Sequence, residues 1–268
     1  MQNRALERFW ISLFFLFSIS SSFAFGAGIP FSISDYGDPS AFLTSDVTDP
    51  IIKTIGLVTE HRPMDPATPL GTSLGLDLGL AVAATKIPDD FWTAAKKAGY
   101  NDDSATGGLA VPVPRLMLHK GIGQSAGLGV SYLGYKNYNI YGADFKYTIY
   151  QDDEGPTYAV RLCYTKLKLA IFETTTWSPQ ILASKKMSFA DPYIGIGYSS
   201  VTGKIVIPIN VPALDQSTTI KGEGKGRALS AFTGVRFFFD LIALELTLEG
   251  SYSTAGADTL GLKFGFAF

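Results

Sequence analysis

Thr72-Ser73-Leu74-Gly75-Leu76-Asp77-Leu78-Gly79-Leu80-Ala81-Val82 sets large apolar residues at alternate positions against Ser, Gly, Asp and Ala. A period of two belongs to a β-strand whose two faces meet different surroundings. Alone it would describe one half-buried strand, but the pattern returns about ten times along the chain. The later apolar sets begin with Leu116 and Leu118; Leu128, Val130 and Tyr132; and Ala143, Phe145, Tyr147 and Ile149. They go on through Tyr158, Val160, Leu162 and Tyr164; Trp177, Pro179, Ile181 and Ala183; and Ile194, Ile196 and Tyr198. Ala231, Thr233, Val235 and Phe237, then Ile242, Leu244, Leu246 and Leu248, lead to Leu260, Leu262, Phe264, Phe266 and Phe268.

The opposite faces carry Gly, Ser and Thr together with Asp77, Arg115, His119, Asp144, Lys146, Arg161, Arg236, Glu245, Glu249 and Lys263. A soluble β-sandwich would solvate its polar face and fill it with Lys and Glu rather than Gly. A closed barrel in a bilayer reverses the arrangement, with apolar residues facing lipid and polar ones facing the lumen. Isolated buried charge is costly, so these residues are expected to form a lumen network of cross-strand ion pairs and hydrogen bonds. The expected fold is all-β: an antiparallel up-and-down transmembrane barrel of about ten strands (range 8–12), preceded by a short helical segment.

Composition agrees. Hydrophobic residues make up 46% and charged residues only 17%, against about a quarter charged in ordinary soluble domains, and the mean hydropathy is +0.18. Beyond the N-terminus, Gly, Pro or charge interrupts every apolar run, so a helical span is not expected. Arg4 and Arg8, the run Phe9 to Phe17 and the small residues Ser18 to Gly28 read as a secretory signal peptide. The run is too short for a spanning helix, which needs roughly 20 apolar residues. Cleavage is expected after Ala24 or Gly26, giving a signal peptide over 1–26 and moving the formal charge from -2 to -3, by loss of two bases and one acid. The single cysteine, Cys163, excludes an intrachain disulfide framework, and nothing in the charge attracts nucleic acid.

Residues 27–71 form a pre-barrel segment and 72–268 the barrel. The segment has no two-residue alternation and is punctuated by six prolines from Pro30 to Pro69. Asp49-Pro50 resembles a helix cap followed by proline at the first helical position. Ile51, Ile52, Ile55 and Val58 then recur at helical spacing, predicting a short amphipathic helix over about 50–61. Three readings stand: a candidate lumen plug whose Lys53, Glu60 and Arg62 pair with lumen charges, a helix lying under the periplasmic rim, or an ordinary linker with one helical turn. Short links are predicted near 121–125, 151–156, 187–191 and 239–241. Long ones fall at 85–109 and 202–226, the first holding a small helix capped by Asp89 or Asp90 and stopped at Gly99. If the chain starts and ends in the periplasm, both long connections face outward, as outer-membrane barrels prefer.

The final segment Thr259-Leu260-Gly261-Leu262-Lys263-Phe264-Gly265-Phe266-Ala267-Phe268 resembles the C-terminal signal of Gram-negative outer-membrane barrels. Asp191-Pro192-Tyr193-Ile194-Gly195-Ile196-Gly197-Tyr198 is similar to strand openings in small barrels of the OmpA, OmpX and OmpW sort. The resemblance covers 72–268 and implies outer-membrane location in a Gram-negative envelope. It also implies partners: outer-membrane lipid, and the barrel-assembly machinery and periplasmic chaperones during biogenesis, with Phe264, Phe266 and Phe268 as the assembly signal. About ten strands departs from the eight of those examples, so their activities do not transfer, and no oligomeric state follows.

For chemistry the sequence offers little. His61, between Glu60 and Arg62, reads as a solvated surface residue. His119, two residues after Arg115, reads as a lumen histidine bonded to a carboxylate; a general base of an outer-membrane hydrolase is the rival. Two histidines so far apart make a poor metal site, and no cofactor is implied. Glu245 and Glu249 suggest ion pairing more than acid–base work, and Gly222-Glu223-Gly224-Lys225-Gly226 reads as a flexible loop lacking the phosphate-loop spacing. Tyr132, Tyr141, Tyr150, Tyr164, Trp177 and Tyr198 fall near strand ends, where aromatic belts anchor barrels. The expected function is therefore non-enzymatic, a structural or surface-interaction role through the loops. The alternatives are a narrow or gated channel for small solutes and, third, a lipid hydrolase.

Overall fold

The computed structural model describes residues 44–70, 74–98, 108–135, 138–152, 155–169, 171–211, 216–239 and 243–268. The signal-peptide reading over 1–26 lies outside the described residues, as does Gly99. Helix α1 (Ser45–Val58) is followed by β1 (Leu76–Lys86), α2 (Asp89–Lys97), β2 (Ala110–Ile122), β3 (Ala126–Tyr135), β4 (Tyr138–Tyr150) and β5 (Thr157–Lys168). Then come β6 (Phe172–Ser184), β7 (Ala190–Val211), β8 (Gln216–Phe239), β9 (Leu244–Ser253) and β10 (Thr259–Ala267). Among the described residues these ten strands close into one barrel, every neighbour in sequence being a neighbour in space and β1 sealing against β10. Each pairing is antiparallel; Leu80, for example, sits between Phe264 of β10 and Leu116 of β2.

The two-residue pattern sets the wall. Asp77, Gly79, Ala81 and Ala83 of β1 point inward and are buried, while Leu78 points out and is 55% exposed. Leu116, Leu128, Ile181, Ile196 and Leu260 are likewise exposed on the outside, as lipid-facing residues should be. Aromatic pairs cross neighbouring strands: Tyr150–Tyr158 at 6.2 Å beside the 151–156 link, and Tyr132–Tyr141 at 5.4 Å and Tyr164–Trp177 at 4.7 Å toward the other end.

The described link residues 123–125 and 185–189, the end of β4 with the start of β5, and the end of β8 with the start of β9 lie at the end where β1 begins and β10 finishes; the helix α2, the end of β7 and the start of β8 lie at the opposite end. The long connection expected over 202–226 is instead a ladder. β7 and β8 stay paired from Ala190↔Phe237 to Val211↔Gln216, so Gly222 to Gly226 is strand rather than flexible loop. At 22 and 24 residues they are about twice the length of β9 and β10, and exceed the roughly 9–11 residues a spanning strand needs.

Helix α1 lies against that extension. It begins at Ser45, with Thr44 as cap rather than Asp49, and ends at Val58, so the predicted span 50–61 is shifted toward the N-terminus and Pro50 is interior. Proline removes one helix hydrogen bond there. Tertiary contact outweighs this local cost: Val47, Thr48, Ile51, Ile52 and Ile55 are all buried. Asp49 does not cap the helix but accepts a 2.8 Å hydrogen bond from the Lys225 N–H, and the Thr48 hydroxyl donates to the Glu223 carbonyl at 2.9 Å. The helix thereby covers a stretch of sheet edge that β9 does not reach, which would otherwise be left with unpaired backbone groups. Gly224 makes the approach possible: a Cβ there would lie 2.8 Å from the Thr48 carbonyl oxygen and 2.9 Å from Ile52.

Helix α2 is capped by Pro88, with Asp89 and Asp90 in its first turn instead of at the cap, where they still favour the positive end of the helix dipole. It joins α1 through Lys97–Asp46 at 2.9 Å and Lys53–Asp90 at 3.3 Å. Lys53 thus serves the mouth of the barrel and not the lumen. The Lys97 hydrogen bond, ahead of that from Thr44, holds the Asp46 carboxyl below the usual carboxylate range. Phe91, Trp92, Ile55, Val111, Leu167 and Ile205 pack into the apolar cluster beneath the two helices. No helix among the described residues is long and apolar enough to cross a membrane.

Candidate functional site

From Val58 the chain leaves α1 and runs down the inside of the barrel as far as Leu70. Every residue from Thr59 to Thr68 is buried. Twelve residues reach at most about 40 Å when fully extended, which exceeds a hydrocarbon core of about 30 Å. Met64, at φ 50°, turns the chain so that Asp65 faces the wall.

The ten inward residues expected from the pattern are all buried, Asp77 and Lys263 completely. Some meet across strands. Lys263 donates to Asp77 and lies 3.0 Å from Glu245, and Arg236 reaches Asp191 at 3.2 Å and Glu245 at 3.7 Å. Others meet only through the lumen segment. Asp65 accepts from Lys146 and, at 2.8 Å, from Arg236, while its carbonyl accepts from Arg161 at 3.1 Å. Lys146 also donates to the Pro66 and Thr68 carbonyls at 2.7 and 2.9 Å, and Arg115 donates to the Thr59 carbonyl. Glu60 accepts from Ser199 at 2.7 Å and Arg62 donates to Ser251 at 2.8 Å. Glu249 accepts from Tyr193 at 2.8 Å instead of forming an ion pair with Arg or Lys.

His61 departs most from its sequence reading. It is fully buried, not solvated. Its Nε2 lies 2.8 Å from Asp144 Oδ1, its Nδ1 2.8 Å from Ser131 Oγ, and its backbone N–H donates to Thr165 at 2.7 Å. His119 stands beside it, ring centroids 6.5 Å apart, with Nδ1 3.3 Å from Asp77 Oδ2 and Nε2 3.4 Å from Asp144 Oδ1. The two histidines are therefore not isolated; the descent of the segment through the lumen unites them. His61, Asp65 and Asp191 are the network members missed by the strand pattern. A segment without periodicity does not reveal which wall it will face. A charged stretch among prolines was its one signal.

Ser131, His61 and Asp144 have the composition of a hydrolase relay. Ser131, however, is only 5% exposed and also accepts from Arg115 at 3.4 Å, which leaves its hydroxyl tied into the wall.

No family model matches the sequence, and no curated protein matches it. Among solved structures the chain is similar to the N-terminal β-barrel domain of Pseudomonas aeruginosa OprF, at 13% identity and TM-score 0.30 over 72% of this chain and 97% of that one. It is also similar to Neisserial surface protein A, at 10% identity and TM-score 0.29 over 74% and 99%. A third is the KdgM porin, at 8% identity and TM-score 0.36 over 72% and 99%. The likeness is in the barrel fold alone.

Proposed function

We propose that this protein is an integral outer-membrane barrel whose own N-terminal segment closes the lumen, and that it serves the envelope structurally or through contacts made at its loop-bearing end. The observation that carries the reading is the unbroken burial of Thr59 to Thr68, tied to the wall at Asp65, His61 and Arg62. A barrel of eight strands is just filled by its side chains, and wide aqueous channels appear near 16 strands. Ten strands leave room for one extended chain, and the segment takes it. The surface offered outward is the α1–α2 pair and the β7–β8 extension, where Lys221, Glu223, Lys225 and Arg227 are exposed.

A gated channel is the second reading, favoured by the polar nature of the contacts that hold the segment. Planar-bilayer recording separates the two. The whole chain is expected to be silent, and deletion of residues 29–70 is expected to leave an assembled barrel with small-ion conductance and a Cys163 open to thiol reagents. Spontaneous or voltage-dependent openings of the whole chain would replace the closed-barrel reading with the gated one.

A further inference from the structure

We propose that His61, His119 and Asp144 form a binding site for a divalent transition metal of the zinc class, which clamps the lumen segment to strands β2 and β4. Their ligand atoms all lie within 4.8 Å of one another. The Nε2 atoms of both histidines converge on one oxygen, Asp144 Oδ1, at 2.8 and 3.4 Å. Around a tetrahedral ion with bonds of about 2.0–2.1 Å, neighbouring ligand atoms stand roughly 3.3 Å apart. The two histidine–Asp144 separations are thus close to the spacing that an ion would set, and the two imidazoles lie within 4.8 Å of each other.

The outer partners point the same way. A metal-bound histidine commonly donates its other ring N–H to a carboxylate or similar acceptor, which fixes the tautomer and turns the free lone pair to the ion. Here His61 Nδ1 lies 2.8 Å from Ser131 Oγ, while Asp77 Oδ2, 3.3 Å from His119 Nδ1, is near enough for that role without being aligned as a hydrogen-bond acceptor. That leaves both Nε2 atoms for the shared centre. His119 makes no well-directed hydrogen bond from either ring nitrogen although it is buried, and a buried polar atom without a partner is costly.

Charge supplies a further reason. Among the described residues seven carboxylates and six Lys or Arg side chains are buried, so the interior lacks positive charge. His119 sits between Asp77, which Lys263 already serves, and Asp144, whose ion-pair partners among the described residues are the two histidines. Gly129 keeps that place clear, since a Cβ there would fall 2.1 Å from Asp144 Oδ1 and 2.7 Å from His119 Nε2. Two imidazoles and a carboxylate suit zinc and its neighbours rather than calcium or magnesium. The site deepens the closed-barrel reading by naming what locks the segment in place, and its test is independent of conductance.

The experiment is metal analysis of the full chain, purified without chelators, and then a Co²⁺ titration of the protein refolded metal-free in detergent. The expected results are about one Zn²⁺ per chain and a visible Co²⁺ absorption band that Zn²⁺ abolishes. His119→Gln is expected to abolish the band while the protein keeps the migration shift of a folded barrel. Should His119→Gln fail to fold, Ser131→Ala, which removes only an outer partner, serves instead and is expected to weaken Co²⁺ binding about 10–100-fold. A wild-type chain that refolds with excess Zn²⁺ yet holds none and gives no Co²⁺ band overturns the site, with a proton on His119 supplying the charge. Equal Co²⁺ binding by wild type and either variant also overturns it. A metal-loaded protein that conducts would sink the closed-barrel reading and leave the site standing.

Discussion

Asp65 shows how much a single side chain decides here. Its carboxylate faces both Lys146 and Arg236 in a closed interior, and removing one partner of a buried pair leaves an uncompensated charge, at a cost of about 3–5 kcal/mol. Asp65→Ala is therefore expected to lower the urea midpoint of the folded barrel strongly. If the midpoint does not move, the lumen is wet enough to solvate both cations, and the segment is not held as described. On the outer face the sign of the environment reverses. Leu262 lies in the middle of β10 between Val82 and Leu248 and is 45% exposed. Leu262→Arg places a charge against hydrocarbon at roughly 2–4 kcal/mol, whereas Lys186→Ala in an exposed link is expected to stay within about 0.5 kcal/mol. Comparable stability of the two variants in lipid vesicles would contradict the facing of β10. The outward position of Leu262 is legible from the alternation alone. The partners of Asp65 are not, because they lie 81 and 171 residues away on separate strands.

Among the elements, the strands and the helices were legible to different degrees. Each alternating set corresponds to one strand, because a half-lipid, half-lumen wall imposes period two on every residue it contains. Helix α1 was displaced from its predicted span because Asp49-Pro50 carries the local signature of a helix start, while the helix begins at Ser45, where Val47 is drawn into the apolar cluster and Thr48 is bonded to Glu223 of β8. Glycines read as loop between Gly222 and Gly226 belong to a strand that the helix overlies, where the lack of a side chain is a packing requirement. Gly224→Val tests this. The added atoms overlap α1, an overpacking that costs about 1–3 kcal/mol, and α1 is expected to become sensitive to protease added to intact cells while barrel migration is unchanged. Unaltered resistance to cleavage would mean that α1 docks without needing that close approach.

At the scale of the whole molecule, closure of β1 on β10 leaves no free edge around the barrel wall, and a ladder without an edge resists detergent. The unboiled protein is expected to migrate faster in SDS than the boiled one; identical migration of the two samples would count decisively against a closed barrel. By itself the sequence determined the wall: about ten strands, their facing and, Asp191 apart, the inward charges of the strands follow from a repeat that each strand writes locally. Only the tertiary structure decided what fills the interior. The segment 59–70 carries no period, since a chain surrounded on all sides by one lumen has no second face to distinguish. Its contacts, His61 with Asp144 and Asp65 with Arg236, exist only once the barrel has closed around it.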